Sequence, residues 1–422
     1  MFNKIVISEF FTTVSFTIFL RTLWLLTYKL PFLRYWNYNQ YVEDELLWYT
    51  WNVNSKIIGL YNWRSAIYHA LKMIWVTKND EVIVNWYTCI SVSNAVIQSW
   101  AKIIYSDINN KNLWFNISEL TNNITQNTKV IIVQHTFWKP AFIKEIIELA
   151  KENGILIIED CALSLWSRVK WEKLWSLWDF SIFSTWRDKV ISSVTWWFLI
   201  INNTNYFKNI KKIKDKLKMP SRFLTIKNLS YNILAYISYK FYNILNIWKF
   251  VIFISRKLNL ITEILSSKEK KCHFNDFNYK LPNSLAYLAS KELEKIKFIR
   301  THRRSIWEYY DELLNNKNFK PLFKRVEWEK NNYFRYPIVV KNEKIKKSLY
   351  NYMKNNNIIL GNSWSGTNIV PIWSSLTNAQ YDLWSCPVAE DLSRRILTLP
   401  NHNLVSFDDI TIIVNLLNKF KN

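Results

Sequence analysis

The sequence contains very little glycine: four residues in 422, where about 7% of the chain would be usual. It contains 23 tryptophans, so tryptophan and glycine together make up about 6% of the chain. Several tryptophans stand in turn-like contexts: NWRS (62–65), NWYT (85–88), FWKP (137–140) and TWWF (195–198). We hypothesise an alternative genetic code, in which UGA means glycine but was translated as tryptophan. The alternative is a truly tryptophan-rich protein, which UGG codons would indicate at Trp63, Trp86, Trp138, Trp196 and Trp197.

Cysteine is also scarce. Cys89, Cys161, Cys272 and Cys386 are far apart and form no CxxC pair, which argues against a zinc site or a disulfide framework. We therefore predict no metal site and a reducing, cytoplasmic setting. The uncharged run between Glu9 and Arg21 is too short to span a membrane, and no small-residue cleavage site follows it.

The remaining composition is that of a globular protein, with 49% hydrophobic and 21% charged residues. A chain of 422 residues exceeds the size of one core and predicts two or more domains. The net charge of +23 would suit nucleic acid or an anionic membrane. Because the basic residues are spread among many Asn and Ile, we predict no nucleic-acid partner.

From residue 56 onward, short apolar runs alternate with helical stretches, which indicates an α/β domain with a mainly parallel sheet and helices on both faces. The predicted strands are 81–84, 102–107, 129–135, 154–160, 180–184 and 198–202. Ligands bind beyond the carboxyl ends of such strands. The polar or aromatic residues at or just after such ends are Arg64, Tyr87, His135, Asp160 and Ser184. The segment SAIYHALKMI (65–74) predicts a helix with one apolar face, formed by Ala66, Ile67, Ala70, Leu71 and Ile74.

Five motifs in order carry a resemblance: NWRSAIYHAL, EVIVNWYT, HTFWKPA, IIEDCA and WDFSIFSTWRDKVIS. With the C-terminal CPVAEDLSRRILTLPNH, they resemble the DegT/DnrJ/EryC1/StrS family of sugar aminotransferases, which depend on pyridoxal 5'-phosphate (PLP). Most matches become closer when tryptophan is read as glycine. The resemblance implies the type I PLP-dependent aminotransferase fold, with a smaller C-terminal α/β domain and a homodimer in which both subunits contribute to each site.

The resemblance also implies roles. Lys189 would bind the cofactor as a Schiff base and later move protons, although any single lysine is more often a solvated surface group. Asp160 would pair with the pyridine nitrogen, or alternatively cap the segment that follows. Ser184 would bind the cofactor phosphate. Arg64 and Ser65 lie at a helix start that suits a phosphate, although an ordinary capped helix is the alternative.

Three positions depart from the family pattern or stay open. Leu163 stands where relatives often have Gln or His, and Cys89 stands where a ring-stacking aromatic is common. Tyr87 is a candidate substitute for that aromatic. For His135 we keep two interpretations, a contact with cofactor or substrate and a structural role.

The predicted domains are an N-terminal arm (1–55), a PLP-binding domain (56–203), a helical insertion (204–282) and a linking helix with a small domain (283–422). One long helix is predicted from Ala289 to Leu314. The insertion either packs on the dimer or over the active site, or it lies on an anionic membrane surface.

The predicted activity is transfer of an amino group from an amino acid, with glutamate as the expected donor, to a keto sugar nucleotide. Surface polysaccharide biosynthesis is the expected context. Dehydration of a keto sugar is a second possibility, but relatives of that type replace the lysine. A non-catalytic regulator or a membrane-associated scaffold is the alternative from another class.

Overall fold

A computed structural model gives the architecture. It describes residues 14–28, 37–50, 54–141, 144–169, 172–176, 178–187, 189–240, 247–258, 260–261, 267–273, 277–324, 331–362 and 376–421. Parts of the predicted N-terminal arm and of the predicted insertion lie outside the described residues.

A seven-stranded sheet forms the centre of the larger α/β region. Its strands are β1 (Lys56–Leu60), β2 (Glu81–Asn85), β3 (Lys102–Ser106), β4 (Thr128–Gln134), β5 (Leu156–Asp160), β8 (Phe180–Ser184) and β9 (Trp197–Ile201), in the spatial order β1-β9-β8-β5-β4-β2-β3. Five adjacent strands, β8, β5, β4, β2 and β3, are parallel. β9 runs antiparallel to both of its neighbours, β1 and β8. β6 (Arg168–Val169) and β7 (Glu172–Lys173) form a separate ribbon. The predicted parallel sheet is confirmed, although β1 was not predicted from the sequence.

Helices lie between the parallel strands: α3 (Trp63–Met73), α4 (Ile90–Gln98), α5 (Ile117–Asn123) and α6 (Lys144–Glu152). The apolar positions predicted for one face of α3, including Ala66, Ala70 and Leu71, are buried against the sheet. α3 is capped at its N-terminus by Asn62, whose side chain accepts a hydrogen bond from the Ser65 backbone N–H. These helices place their N-termini at the carboxyl edge of the sheet.

The N-terminal arm and the insertion are helical where they are described. The arm contains α1 (Phe16–Thr27) and α2 (Tyr38–Thr50), and the insertion contains α7 (Lys208–Lys216), α8 (Arg222–Lys240), α9 (Ile247–Lys257) and α10 (Ser267–Lys270). α1 packs along α8, with the rings of Phe19 and Tyr236 stacked at 4.6 Å. Within the described part of the chain, no helix combines the length and the apolar character needed to cross a bilayer.

The C-terminal part contains a three-stranded antiparallel sheet made of β10 (Phe319–Pro321), β11 (Tyr336–Val340) and β12 (Ile396–Leu399). Its helices are α13 (Glu343–Asn355), α14 (Pro387–Arg395) and α15 (Phe407–Lys419). The prediction of one long connecting helix was wrong, because α11 (Asn283–Leu293) and α12 (Ile296–Leu313) are separate. Between them the Lys295 N–H donates to Glu292 O, three residues back, so a tighter turn interrupts the helix.

Several tryptophans occupy positions that suit glycine. Trp75 (φ 58°) and Trp100 (φ 77°) have left-handed backbones directly after the C-caps of α3 and α4, and Gly154 (φ 65°) has the same place after α6. Glycine is the usual residue at that position. The indole N–H groups of Trp86, Trp138 and Trp196 are buried with no acceptor among the described residues. These features support the glycine hypothesis, which stays a prediction.

Candidate active site

The candidate site lies at the carboxyl edge of the parallel strands. Asp160 ends β5, Ser184 ends β8, and His135 follows β4 directly. Tyr87 follows β2 by two residues and is fully buried; its backbone carbonyl accepts a hydrogen bond from Gln134 Nε2 at 2.9 Å. The sheet topology therefore brings residues from four strand ends to one edge.

Asp160 is buried, and one of its oxygens has an internal partner. Oδ1 accepts a hydrogen bond from the Ala162 N–H at 2.9 Å, which is the capping contact of the alternative interpretation. Among the described residues, none donates a hydrogen bond to Oδ2. Burial raises the pKa of the Asp160 carboxyl, while the Ala162 N–H and the charge of Lys189 lower it. A protonated ring nitrogen would offset this burial cost by adding a charged donor.

Lys189 is buried in the loop after β8, which rules out the solvated surface lysine. Its backbone N–H donates to Trp186 O at 2.8 Å, and its Nζ lies 5.7 Å from the centre of the Phe334 ring. Lys189 is near enough to lower the pKa values of both the Asp160 carboxyl and the Cys89 thiol by its charge. The two residues expected to serve the cofactor therefore share one buried site.

The start of α3 is a capped helix with a buried cation. Asn62 Oδ1 accepts from the Ser65 backbone N–H at 3.0 Å and from the Ser65 hydroxyl at 2.7 Å. Arg64 is buried and forms an ion pair with Glu269 of the insertion. Burial lowers the pKa of Arg64 to about 9, and the nearby Cys89 raises it. Both the capping and the phosphate interpretations fit, because a guanidinium and a helix N-terminus still lie together.

Two polar contacts hold the loop between Ser184 and Lys189. The Trp186 N–H donates to Ser184 Oγ at 3.1 Å, which leaves the hydroxyl proton of Ser184 free to be donated. The hydroxyls of Thr185 and Ser193 bond to each other at 2.7 Å. Ser184 is therefore placed as a hydroxyl donor at the end of β8, the strand that leads into the Lys189 loop.

Cys89 is the N-cap of α4 and is half-buried, with Sγ 3.7 Å from Ser91 Oγ. Burial raises the pKa of its thiol to about 11, although Ser91 and the charges of Lys189 and Arg64 lower it. Cys89 is therefore a neutral thiol close to the predicted lysine. It offers a soft apolar contact where relatives often place an aromatic ring.

His135 uses both ring nitrogens within the protein. Nε2 bonds to Glu159 Oε1 at 2.8 Å, and Nδ1 accepts the Ala141 N–H at 2.8 Å. Glu159 Oε2 also accepts from the Trp175 N–H and the Ser181 hydroxyl. His135, Glu159 and Cys161 could together ligate a metal, yet these hydrogen bonds already occupy the histidine and the carboxylate. The arrangement favours the structural interpretation of His135.

Three nearby residues were not predicted from the sequence. The Phe334 ring lies beside the amine of Lys189, and the guanidinium of Arg187 is buried two residues before that lysine. Asn332 donates to the carbonyls of Leu163 and Leu165, which ties the chain before β11 to the loop after Asp160. In the sequence these residues stand out only by lying close to β11 or to Lys189. Closeness along the chain does not reveal contacts between distant segments.

The residues present fit PLP. The open Oδ2 of the buried Asp160 suits the ring nitrogen, and the buried amine of Lys189 suits the aldehyde carbon. The hydroxyl of Ser184, the guanidinium of Arg64 and the N-terminus of α3 suit a phosphate dianion.

The sequence model described as the DegT/DnrJ/EryC1/StrS aminotransferase family matches residues 32–216 and 262–418. GDP-perosamine synthase of Escherichia coli O157:H7 is 22% identical over 387 residues, which cover 90% of this chain and 88% of that protein. A UDP-N-acetyl-3-dehydro-alpha-D-glucosamine 3-aminotransferase of Acidithiobacillus ferrooxidans is 30% identical over 132 residues, 31% of this chain and 36% of that protein.

Solved structures of similar shape cover nearly the whole chain. PseC of Helicobacter pylori, an aminotransferase involved in the biosynthesis of pseudoaminic acid, has a TM-score of 0.74 at 16% identity and covers 98% of each chain. Spr1654 of Streptococcus pneumoniae, solved in its PLP form, has a TM-score of 0.73 at 16% identity and covers 96% of each chain. The predicted type I aminotransferase fold is confirmed.

Proposed function

Because the chain belongs to the DegT/DnrJ/EryC1/StrS aminotransferase family, and is therefore a PLP-dependent aminotransferase, we propose that it transfers an amino group from glutamate to a keto sugar carried on a nucleotide. The observation that carries the proposal is the buried pair of Asp160, with its open Oδ2, and Lys189. An acid and an amine in one water-poor site suit chemistry that moves protons at a carbon next to nitrogen.

When bound, PLP supplies a ring that withdraws electron density from that carbon. Asp160 would hold the ring nitrogen in its protonated form through Oδ2, and its own burial would strengthen that interaction. Lys189 would bind the cofactor and, once released, carry a proton between the two carbons that exchange the amino group. The Phe334 ring excludes water beside the amine.

Ser184, Ser65 and Arg64 would hold the cofactor phosphate. Ser184 can donate its hydroxyl proton, and the guanidinium of Arg64 supplies positive charge at the start of α3. Ser65 would have to exchange its present bond to Asn62 for one to phosphate. Tyr87 and Cys89 would line the cofactor ring.

The substrate class rests on the names of relatives. A GDP-perosamine synthase and a UDP-linked sugar aminotransferase are among them, which supports a nucleotide-linked keto sugar. SpsC of Bacillus subtilis, named a spore coat polysaccharide biosynthesis protein, supports a role in surface polysaccharide formation. The nucleotide, remote from the reacting carbon, would supply binding energy that orients the ketone.

The lysine assignment is tested by absorbance of the protein purified with PLP. Lys189→Met should abolish the visible band of lysine-bound cofactor, whereas glutamate should bleach that band in the parent protein and in Lys346→Met. Lys346→Met is the matched control, since Lys346 is a second buried lysine, on α13, whose Nζ donates to Ser393 O. A glutamate-sensitive band that survives in Lys189→Met would overturn the proposal.

A non-catalytic regulator is the second candidate, because a relative from Geobacillus stearothermophilus is named a pleiotropic regulatory protein, 30% identical over 108 residues. A lysine-dependent band that no amino donor bleaches would favour this candidate.

We also propose that the protein works in the cytoplasm as a homodimer. Its four cysteines are all free thiols, which suits a reducing compartment. We propose the domain limits 1–55, 56–203, 204–282 and 283–422, and the family model leaves 217–261 unmatched within the insertion. Sedimentation velocity tests the dimer: a monomer at every concentration would refute it.

A further inference from the structure

Exposed apolar side chains collect on the helices of the arm and the insertion. Phe16 and Leu20 lie one turn apart on α1, and α9 exposes Phe250 and Phe253, followed by Leu258. Phe250 and Phe253 are each about two-thirds exposed, at 65% and 64%. α1 and α9 both pack on α8, so these side chains belong to one helical layer. A concentration of large exposed apolar side chains on a few packed helices indicates an interaction surface.

The same segment is strongly basic. Residues 204–282 contain sixteen Lys and Arg against four Asp and Glu, so they carry more than half of the net charge of +23. If these exposed side chains formed a two-fold contact, the basic segment would face its own copy, and like charges would oppose that contact. An anionic bilayer provides both opposite charge and an apolar layer.

We propose that the layer formed by α1, α8 and α9 docks on the surface of an anionic membrane. The side chains of Phe250 and Phe253 enter the interface, and lysines such as Lys257 contact lipid headgroups. No described helix is suited to crossing the bilayer, so the contact is peripheral. The rest of the enzyme stays in water, where a nucleotide-linked substrate is dissolved.

The test is co-sedimentation of the full chain with vesicles of phosphatidylcholine, with and without phosphatidylglycerol. The parent protein should bind only the anionic vesicles, and the double variant F250E/F253E should bind at least about tenfold more weakly. The matched control is F407E/I412E, since Phe407 and Ile412 are exposed apolar side chains of α15, a helix that packs on α12. Equal binding by the parent and F250E/F253E would overturn the proposal. So would conversion of a dimer to a monomer by F250E/F253E without loss of vesicle binding.

A second inference concerns another side of α8, which contacts the loop that carries Lys189. The guanidinium carbon of Arg187 lies 3.6 Å from the centre of the Tyr231 ring. Three residues earlier on α8, Asn228 donates to the hydroxyl of Tyr61, and the backbone carbonyl of Tyr61 accepts the hydroxyl of Thr195. α8 therefore contacts this loop near Lys189 and, through Tyr61, at Thr195.

We infer that Tyr231 is a positioning residue, which fixes Lys189 by stacking on Arg187. This inference rests on the proposed role of Lys189. The face of an aromatic ring against a buried guanidinium restrains both the position and the orientation of the guanidinium plane. Because only one residue separates Arg187 from Lys189, that restraint passes to the lysine backbone.

Hydrogen exchange of residues 185–195, measured without cofactor, tests the restraint independently of catalysis. Tyr231→Ala should raise exchange there and weaken PLP binding about tenfold, and Tyr231→Phe should restore both. Tyr236→Ala is the matched control, because Tyr236 lies on the same helix but stacks on Phe19 of α1. Equal exchange in Tyr231→Ala and Tyr236→Ala would overturn the inference. Raised exchange in Tyr231→Ala with parent-like PLP binding would instead count against the cofactor role of the loop.

Discussion

Replacing Trp100 by glycine is expected to stabilise the protein. Trp100 follows the C-cap of α4 with φ 77°, and its N–H donates to Ile97 O at 3.0 Å. Gly154 follows α6 in the same way, with φ 65° and a bond from its N–H to Lys151 O. The Trp100 side chain is 72% exposed, so its removal sacrifices little buried area.

The magnitude follows from two opposing terms. An L-residue in the left-handed region costs about 1–2 kcal/mol, which glycine avoids. Glycine loses about 0.5–1 kcal/mol more chain entropy on folding than alanine does. Trp100→Gly should therefore be about 0.5–1 kcal/mol more stable than Trp100→Ala, in which the side chain is equally truncated but the strain remains.

Trp48 supplies the opposite case. It is 70% exposed in α2, where the backbone is helical and glycine brings no relief. Trp48→Gly should be about 1 kcal/mol less stable than Trp48→Ala. Urea unfolding followed by far-ultraviolet circular dichroism measures all four variants without relying on indole fluorescence. If glycine were worse than alanine at both positions, the strain argument and its support for the glycine hypothesis would fail.

Three further predictions follow from the site and the core. Asp160→Asn should lower turnover at least about 100-fold, measured as single-turnover bleaching by glutamate, because a neutral amide cannot keep the ring nitrogen protonated; an unchanged rate would argue against the role. His135→Gln should lower the free energy of unfolding by about 1–3 kcal/mol, because it removes buried hydrogen bonds. Its PLP affinity, measured by equilibrium dialysis, should stay near that of the parent. A lower PLP affinity with parent-like stability would indicate a cofactor contact. Burial lowers the pKa of His69 to about 4. The neutral imidazole therefore contributes fully to the free energy of unfolding above pH 6.5, and this contribution falls by about 3 kcal/mol as the pH drops toward 4. Urea titrations at several pH values should show this fall, and it should be smaller in His69→Gln, where the amide can still bond to Phe277 O.

Much of the fold was predictable because it depends on local patterns. The run FSIFS forms β8 with the predicted bounds, and the apolar face of α3 is buried as expected. A parallel sheet then fixes which strand ends meet, so Asp160 and Ser184 had to fall on one edge. The roles proposed for Lys189 and Arg64 rest on the family motifs that contain them and use no long-range information.

Contacts between distant segments were not predictable. Glu269 pairs with Arg64 across about two hundred residues of sequence, and Tyr231 stacks on Arg187 from the part of the insertion, 217–261, that lies outside the match to the family. Neither Glu269 nor Tyr231 belongs to a motif. Another acid or another tyrosine nearby in the sequence would satisfy the same pattern. Only the packing of the insertion helices against the sheet edge selects these pairs.

The adjacent acids Glu159 and Asp160 show how the sheet assigns roles that the sequence leaves open. Successive side chains of a strand point to opposite faces, so two neighbouring carboxylates must enter different environments. Glu159 accepts hydrogen bonds from His135, Trp175 and Ser181, which occupy both of its oxygens. Asp160 keeps Oδ2 open on the face shared with Lys189. A shift of one residue in the pairing of β5 with β8 would exchange the faces of the two carboxylates. Glu159, and not Asp160, would then face Lys189. The register of β5 is therefore part of the proposed mechanism.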